Sequence, residues 1–454
     1  MDFTTVDPAS GRDLEAFAYM SPAQAGARLD GARAAAGRWR DTGIDDRAAL
    51  LREVARRLRL ESEELAATAT REMGKPIVQA RAEVEKCATC CEWFAGHAGA
   101  LLADRAAPSS ASKSYVAFRP LGVVLAIMPW NYPYWQVFRA AAPALMAGNA
   151  MVLKHAENTT RCALEIERIF REAGAPADLV ATILYANDAT DGLIADERIA
   201  AVTLTGSERA GIAVGGAAGA ALKPSVLELG GSDAFVVRAD ADLDATAKAA
   251  ATARFQNNGQ SCIAGKRFIV VDAVYDAFVE RFAANASALV VGDPADDRTG
   301  LGPVARADLR ATLHAQVRAT VDAGARLVAG GNERGGPGFF YDATVVADVL
   351  PGMRMFDEEV FGPAAAVIRA RDDDHAIELA NASAFGLGGS VWTRDVAEGE
   401  RLAARLECGC AFVNAIVASD PRVPFGGVKR SGYGRELSAF GLHEFVNIQT
   451  VWIG

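Results

Sequence analysis

The stretch VVLAIMPWNYPYWQVFRAAAPALMAGNAMVLK, residues 123–154, decides the fold class. Residues 123–128 form a β-branched and aliphatic run that ends at Pro129-Trp130-Asn131. Residues 135–146 are apolar with helical period, and 150–154 form a second apolar run. Strand, helix, strand within thirty residues predicts parallel pairing. The theme continues with a helix at 159–173 and strand-like runs at 182–185, 201–205 and 224–229. After Gly230-Gly231 a second alternating series places strands at 234–237, 267–271, 326–329, 364–368, 389–392 and 411–413. Two successive α/β units follow, with no internal repeat and no low-complexity linker. Upstream, 21–37, 46–74 and 83–102 carry helical periodicity and many charges, as a wrapping layer would. A short strand is expected at 114–118. The closing run 445–452 alternates like a strand and calls for an edge to pair with, elsewhere in the chain or in another subunit.

The totals narrow the function classes. A chain of 454 residues exceeds one ordinary core, so two or three domains are expected. Net charge of −10 leaves no basic footprint for nucleic acid. The uncharged run 120–138 is nominally long enough to span a bilayer, but Pro120, Pro129, Asn131 and Pro133 argue for a buried strand and loop. The opening MDFTTVDPASGRDLEAF lacks a basic n-region and an apolar h-region. With seven cysteines, an odd count, the expectation is a cytosolic protein with reduced thiols. Cys87, Cys90 and Cys91 look like half a zinc site, but no second CxxC or His pair completes it, so no metal is expected.

Several familiar motifs fail. Residues 259–266 mimic a phosphate loop with the wrong spacing, and Arg267 stands where Ser or Thr is needed. No GxGxxG follows any strand, no GxSxG exists, and the five histidines form no HExxH.

Four features carry chemistry. In FQNNGQSCIAG, residues 255–265, Cys262 follows a turn rich in Asn, Gln and Gly, where a thiol can be both exposed and rigidly held. Taken alone, such a cysteine is more often a small buried hydrophobe. Glu228 ends an apolar strand before two glycines. There a carboxylate is either a base with a raised pKa facing a cleft or a solvated strand end. Asn131 either donates its amide to an oxyanion or forms a turn. Ser207, in GSERAG after the 201–205 run, caps a helix whose N-terminus suits a pyrophosphate, although Gly-Ser is common at helix starts.

Seven blocks in order, MPWNYP, KHAE, TLTGSERAG, LELGGSD, FQNNGQSC, EEVFGP and PFGGVKRSGYGRE, resemble the aldehyde dehydrogenase superfamily over nearly the whole chain. The resemblance implies a variant Rossmann cofactor domain (1–105 and 121–228), a second α/β catalytic domain (229–435) and a small β oligomerisation element (106–120 and 436–454). It implies Cys262 as nucleophile, Asn131 and the Cys262 N–H as oxyanion donors, and Glu228 as the base that hydrolyses a thioester. CoA-acylating relatives lack that glutamate. Cofactor contacts are implied for Trp130, Lys154, Glu157, Gly206, Ser207, Gly211, Leu229, Glu359 and Phe361. Glu157 would accept from ribose hydroxyls and repel a 2′-phosphate, so NAD is expected over NADP. A small aldehyde substrate and a homodimer or homotetramer are implied as well.

Arg139 is the only charged residue between Arg119 and Lys154. It needs an anionic partner, either a protein carboxylate or the far end of a substrate. KHAE, the short length and the C-terminal run are similar to the compact bacterial succinate-semialdehyde dehydrogenases. That implies a substrate site of Trp135, Arg139, Ser261, Ser419 and Phe425. One departure stands out: Gln256 occupies a position where longer members of that class carry a second Arg. A broader aldehyde dehydrogenase for medium-chain, aromatic or other semialdehydes is therefore the second reading. A nucleotide-independent cysteine esterase and a silent scaffold are the third and fourth.

Overall fold

A computed structural model describes residues 2–454. The first α/β unit is a six-stranded sheet in the order Gly432–Tyr433, Ser225–Glu228, Ile199–Thr205, Val123–Met128, Ala150–His155, Val180–Thr182. All pairs are parallel except the Gly432–Tyr433 edge. The Val123–Met128 strand pairs on both sides, which is why its sequence is a continuous apolar run. The chain leaves it toward Ala150–His155 on one side and later returns to Ile199–Thr205 on the other. That reversal opens a crevice at the carboxyl ends of these strands, where open α/β sheets bind ligands.

The second unit is a seven-stranded sheet in the order Arg326–Ala329, Thr344–Ala347, Ala364–Ala370, Gly265–Val271, Asp233–Val237, Gly388–Trp392, Cys410–Val413. Only Arg326–Ala329 runs antiparallel. A third, antiparallel sheet joins Val446–Ile453, Lys113–Pro120 and Arg105–Ala106. The closing strand finds its partner within the chain, in an eight-residue register from Val446↔Pro120 to Ile453↔Lys113. Its other edge is open. The third strand expected in the first unit, 182–185, lies slightly earlier, at Val180–Thr182.

Two helices position the site. The Ile77–Leu101 helix buries Ala80, Glu83, Val84, Cys87, Cys91 and Phe94, a stripe at spacings of three and four. The Trp135–Met146 helix is buried all round. Glu83 links them: one carboxylate oxygen accepts from the backbone N–H groups of Tyr134 and Trp135, each at 2.9 Å. It satisfies two orphan donors of the second helix and complements the positive end of its dipole. Lys75, fully buried, pairs with the other oxygen. Among the described residues no helix is long and apolar enough to cross a membrane.

Candidate active site

The thiol turn owes its shape to three successive left-handed residues. Asn257, Asn258 and Gly259 have φ of 55°, 57° and 71°. Asparagine tolerates this region better than most residues, and Gly259 has no alternative: a Cβ there would lie 2.5 Å from the Gly362 backbone. The side chains then lock the loop. Asn258 Nδ2 donates to the carbonyls of Gly74 (2.7 Å) and Pro303 (2.9 Å). Asn257 Nδ2 donates to the Asn131 carbonyl at 2.8 Å. Asn131 Nδ2 in turn donates to the Gln260 carbonyl at 3.1 Å, leaving its second N–H free of that bond. Lys266 Nζ, fully buried, donates to the carbonyls of Ser261 (2.8 Å) and Cys262 (2.7 Å). Cys262 itself is half-buried. Burial pushes its thiol up to about 12, against the pull of the Arg139 and Lys266 charges. The resting group is the thiol.

Gly230-Gly231 bring the base candidate beside this turn. A Cβ on Gly231 would lie 2.6 Å from the Cys262 carbonyl oxygen, and one on Gly230 would lie 2.3 Å from a Glu359 oxygen. Glu228, just before them, is 2% exposed, and neither carboxylate oxygen has a hydrogen-bond partner. Burial holds its pKa well above the usual carboxylate range. The neighbouring Glu436 raises it further, while Arg139 and Arg435 oppose the shift. A solvated strand end is ruled out by that burial.

Arg139 has a protein partner. It forms an ion pair with Glu436, both side chains 1% exposed. Its Nη2 donates to Thr205 Oγ1 at 3.1 Å, and its guanidinium lies 4.7 Å from the centre of the Phe425 ring. Removing one member of a buried pair strands the other. Arg139→Met is therefore expected to cost about 3–5 kcal/mol, and the double variant Arg139→Met/Glu436→Gln to recover most of it. Urea unfolding of both checks this; equal losses would contradict a structural pair.

A cavity of about 260 Å³ opens on Cys262 and is lined by Trp135, Arg139, Ser261, Ser419 and Phe425 together with Lys86. All five expected substrate contacts therefore meet in one place. Gln256 lines it too. Ser419 Oγ accepts from Trp135 Nε1 at 3.1 Å and from Lys86 Nζ at 2.9 Å.

A second, larger cavity of about 650 Å³ lies at the strand ends described above, bounded by Pro129, Lys154, Glu157, Gly206 and Arg306. Ser207 caps the Glu208–Ala220 helix, its Oγ accepting from Ala210 N. Lys154 donates to Asn187 Oδ1 at 2.6 Å. A dinucleotide fits on the donor set: a helix N-terminus for phosphates, and a lysine and a glutamate for a ribose. Glu359 sits beside the thiol turn. It accepts from Gly231 N at 3.0 Å and lies 3.3 Å from Lys266 Nζ. Phe361 stands edge-on to Trp130 at 5.6 Å. Gly211 and Leu229 pack against each other and line a separate surface depression, away from the Lys154 groove. All seven cysteines are free, and among the described residues no group of three His, Cys, Asp or Glu side chains could hold a metal.

The thiol of Cys262 thus opens on one cavity, while a larger one lies at the strand ends with donors for an anionic ligand, an arrangement suited to thiol-dependent oxidation. Residues 1–451 match the aldehyde dehydrogenase family, and the chain belongs to it. Among its relatives is the succinate semialdehyde dehydrogenase [NAD(P)+] Sad of Escherichia coli, 51% identical over 448 residues, covering 99% of this chain and 97% of that one. Succinate-semialdehyde dehydrogenase [NADP(+)] 1 of Mycobacterium tuberculosis is 47% identical over the full length of both chains. The crystal structure of succinic semialdehyde dehydrogenase from Streptococcus pyogenes with NADP+ superposes with a TM-score of 0.97 at 37% identity, covering 99% of each chain.

These relatives overturn the expected preference for NAD over NADP, since they are named for NAD(P)+ or NADP+. The structure supplies the physical reason. Glu157 Oε1 accepts from the Tyr19 hydroxyl at 2.6 Å, so its charge is partly engaged. Lys154, beside it in the groove, has no carboxylate within 4.0 Å among the described residues. One glutamate therefore does not set the sign of the field at the ribose.

Four of the site's polar residues are not legible in the sequence pattern. Lys266 was passed over as part of a failed phosphate loop, and Glu436 closes a quoted block without having been singled out. Tyr19 directly follows an N-terminal hairpin, Asp2–Val6 with Asp13–Ala18, that the sequence patterns do not reveal. Lys86 lay in a stretch read only as wrapping helix; its signal was its place one turn after Glu83 on the same face.

Proposed function

We propose that this chain oxidises succinic semialdehyde to succinate with NAD(P)+, through a thioester on Cys262. The observation that carries the reading is the Cys262 cavity, whose walls combine cationic side chains with serine hydroxyls and an aromatic lid of Trp135 and Phe425. That lining suits a short aldehyde with an anionic tail.

The chain's own groups divide the work. The Cys262 thiol gives its proton to solvent water, and its sulfur adds to the aldehyde carbon. The second N–H of Asn131 and the Cys262 backbone N–H stabilise the oxyanion of the thiohemiacetal. NAD(P)+, when bound in the crevice, would accept the hydride that the thiohemiacetal carbon gives up on becoming a thioester. Glu228, once ionised, takes a proton from water, whose oxygen attacks the thioester and releases the acid and the thiol. Lys266 holds the thiol turn fixed through both carbonyls and touches Glu359. The turn and Glu359 therefore share one anchor.

The second reading, a broader aldehyde dehydrogenase, draws on two facts: Glu436 already neutralises Arg139, and Gln256 carries no charge. A kinetic panel of succinic semialdehyde against pentanal, each with NAD+ and NADP+, separates them. The expected result is a kcat/KM for succinic semialdehyde at least about tenfold higher, as one well-placed charged contact provides. Equal values favour the broad enzyme. No aldehyde-dependent formation of NADH or NADPH would sink both.

The same proposal includes a homodimer or homotetramer. The open edge of the Val446–Ile453 strand exposes Ile448, Trp452 and Ile453, and an uncovered apolar edge invites pairing with a second copy.

A further inference from the structure

The cavity beside Cys262 contains three cationic side chains, and they are not equivalent. Lys75 is fully buried, paired with Glu83 and stacked on Tyr132 at 4.0 Å. Arg139 is paired with Glu436 and bonded to Thr205. Lys86 has no carboxylate within 4.0 Å among the described residues. Its ammonium donates to Ser419 Oγ at 2.9 Å and lies 4.2 Å over the face of Trp135. The nearby acid Asp420 is committed elsewhere, to Arg422 through contacts of 2.8 and 2.6 Å.

We infer that Lys86, assisted by Ser419, is the specificity-determining cation that receives the substrate's carboxylate, and that Arg139 is a structural cation. The assignment rests on the semialdehyde reading above. A half-buried lysine without a counter-ion loses part of its solvation, which one hydroxyl and one aromatic face replace only in part, unless an anion arrives to complete the site. A carboxylate landing there replaces the missing partner. It also keeps the Trp135 face, the Ser419 hydroxyl and the Ser261 hydroxyl around it; Ser261 is 1% exposed, and its Oγ has no hydrogen-bond partner. Lys86 comes from the Ile77–Leu101 helix and Trp135 from the Trp135–Met146 helix. Glu83 pins the two together one turn below, so the cation and its aromatic wall are held in register. The position also accounts for Gln256: the pocket needs no second arginine when a lysine from another helix supplies the charge.

The ammonium is poised. Burial, helped by the Arg139 charge, brings its pKa down to about 8, while Cys87, Cys90 and Glu83 oppose the shift. Below that pH the site is cationic, and above it the anchor is lost. The other charged groups facing it are Asp420 and, through the cavity, Arg139 with its partner Glu436.

The test uses the full-length enzyme and the variants Lys86→Met and Lys86→Arg, each assayed with succinic semialdehyde and with pentanal from pH 6.5 to 9.5. Lys86→Met is expected to raise KM for succinic semialdehyde by about 30-fold or more, with a much smaller change in kcat, and to lower the succinic semialdehyde to pentanal ratio of kcat/KM by the same factor. Lys86→Arg restores most of that ratio. In the wild type the ratio falls by about tenfold per pH unit above the lysine's pKa, and in Lys86→Met that fall disappears. Equal losses on both aldehydes in Lys86→Met, without rescue by arginine, would assign Lys86 a packing role and overturn the inference. A wild-type preference for succinic semialdehyde that survives Lys86→Met also overturns it while leaving the semialdehyde reading intact. A wild type with no such preference refutes that reading itself.

Discussion

Glu228→Gln is expected to lower steady-state kcat by about 10²–10⁴-fold while leaving a first-turnover burst of reduced nucleotide close to one per active site. Glutamine matches the shape of glutamate but cannot take a proton from water. Acylation of Cys262 therefore proceeds, and the thioester stalls. In the wild type the carboxyl must first lose a proton that burial and Glu436 make it hold tightly. Single-turnover deacylation consequently climbs with pH until the carboxyl is ionised, above the usual carboxylate range, and in the variant it is flat. The same raised pKa has a consequence for stability. A carboxyl that binds its proton more tightly folded than unfolded contributes stability at low pH, which is lost as pH rises from its unfolded value through its folded one. Glu228→Gln removes that loss, so the variant is expected to gain in urea midpoint relative to the wild type at pH 8 but not at pH 4. A variant without a burst, or one whose deacylation keeps its pH slope, would remove Glu228 from the hydrolytic role.

Cys262→Ser is expected to abolish aldehyde oxidation, by at least about 10⁴-fold in kcat/KM, with the folded state unchanged. The substitution is nearly isosteric, and the turn is held by Asn257, Asn258 and Lys266 rather than by the sulfur. Serine has no comparable nucleophilicity and would form an ester in place of a thioester. Thermal unfolding checks the fold, and NADPH formation checks the chemistry. Activity within tenfold of wild type would contradict a thiol nucleophile.

The parts of this protein legible in the sequence are those that depend on local rules. Val123–Met128 read as a buried parallel strand because both of its neighbours bury it, and the Asn-Asn-Gly before Cys262 read as a tight turn because few residues adopt three left-handed conformations in succession. The parts that escaped depend on long-range encounters. Arg139 meets Glu436 from a helix on one side of the sheet and a loop near the far end of the chain, and no spacing rule joins them. The N-terminal hairpin that brings Tyr19 to Glu157 changed the electrostatics on which the NAD preference had been argued. Thr344–Ala347 went unread because four residues alternating with no polar face resemble any short apolar stretch; it is a strand because Ala364–Ala370 lies beside it. Lys86 escaped because a charged residue on a long helix ordinarily faces solvent, and only the tertiary placement of Trp135 and Ser419 turns it inward.

The proposed mechanism has three parts: oxidation of succinic semialdehyde, a thioester on Cys262, and its hydrolysis by Glu228. Intact-protein and peptide mass measurement of Glu228→Gln, acid-quenched after one exposure to succinic semialdehyde and NADP+, tests all three parts together. The expected result is a mass gain of one succinyl group, confined to the peptide that contains Cys262, present only when nucleotide is included and absent from Glu228→Gln/Cys262→Ser. An adduct on another residue, or none while reduced nucleotide still forms, would contradict it.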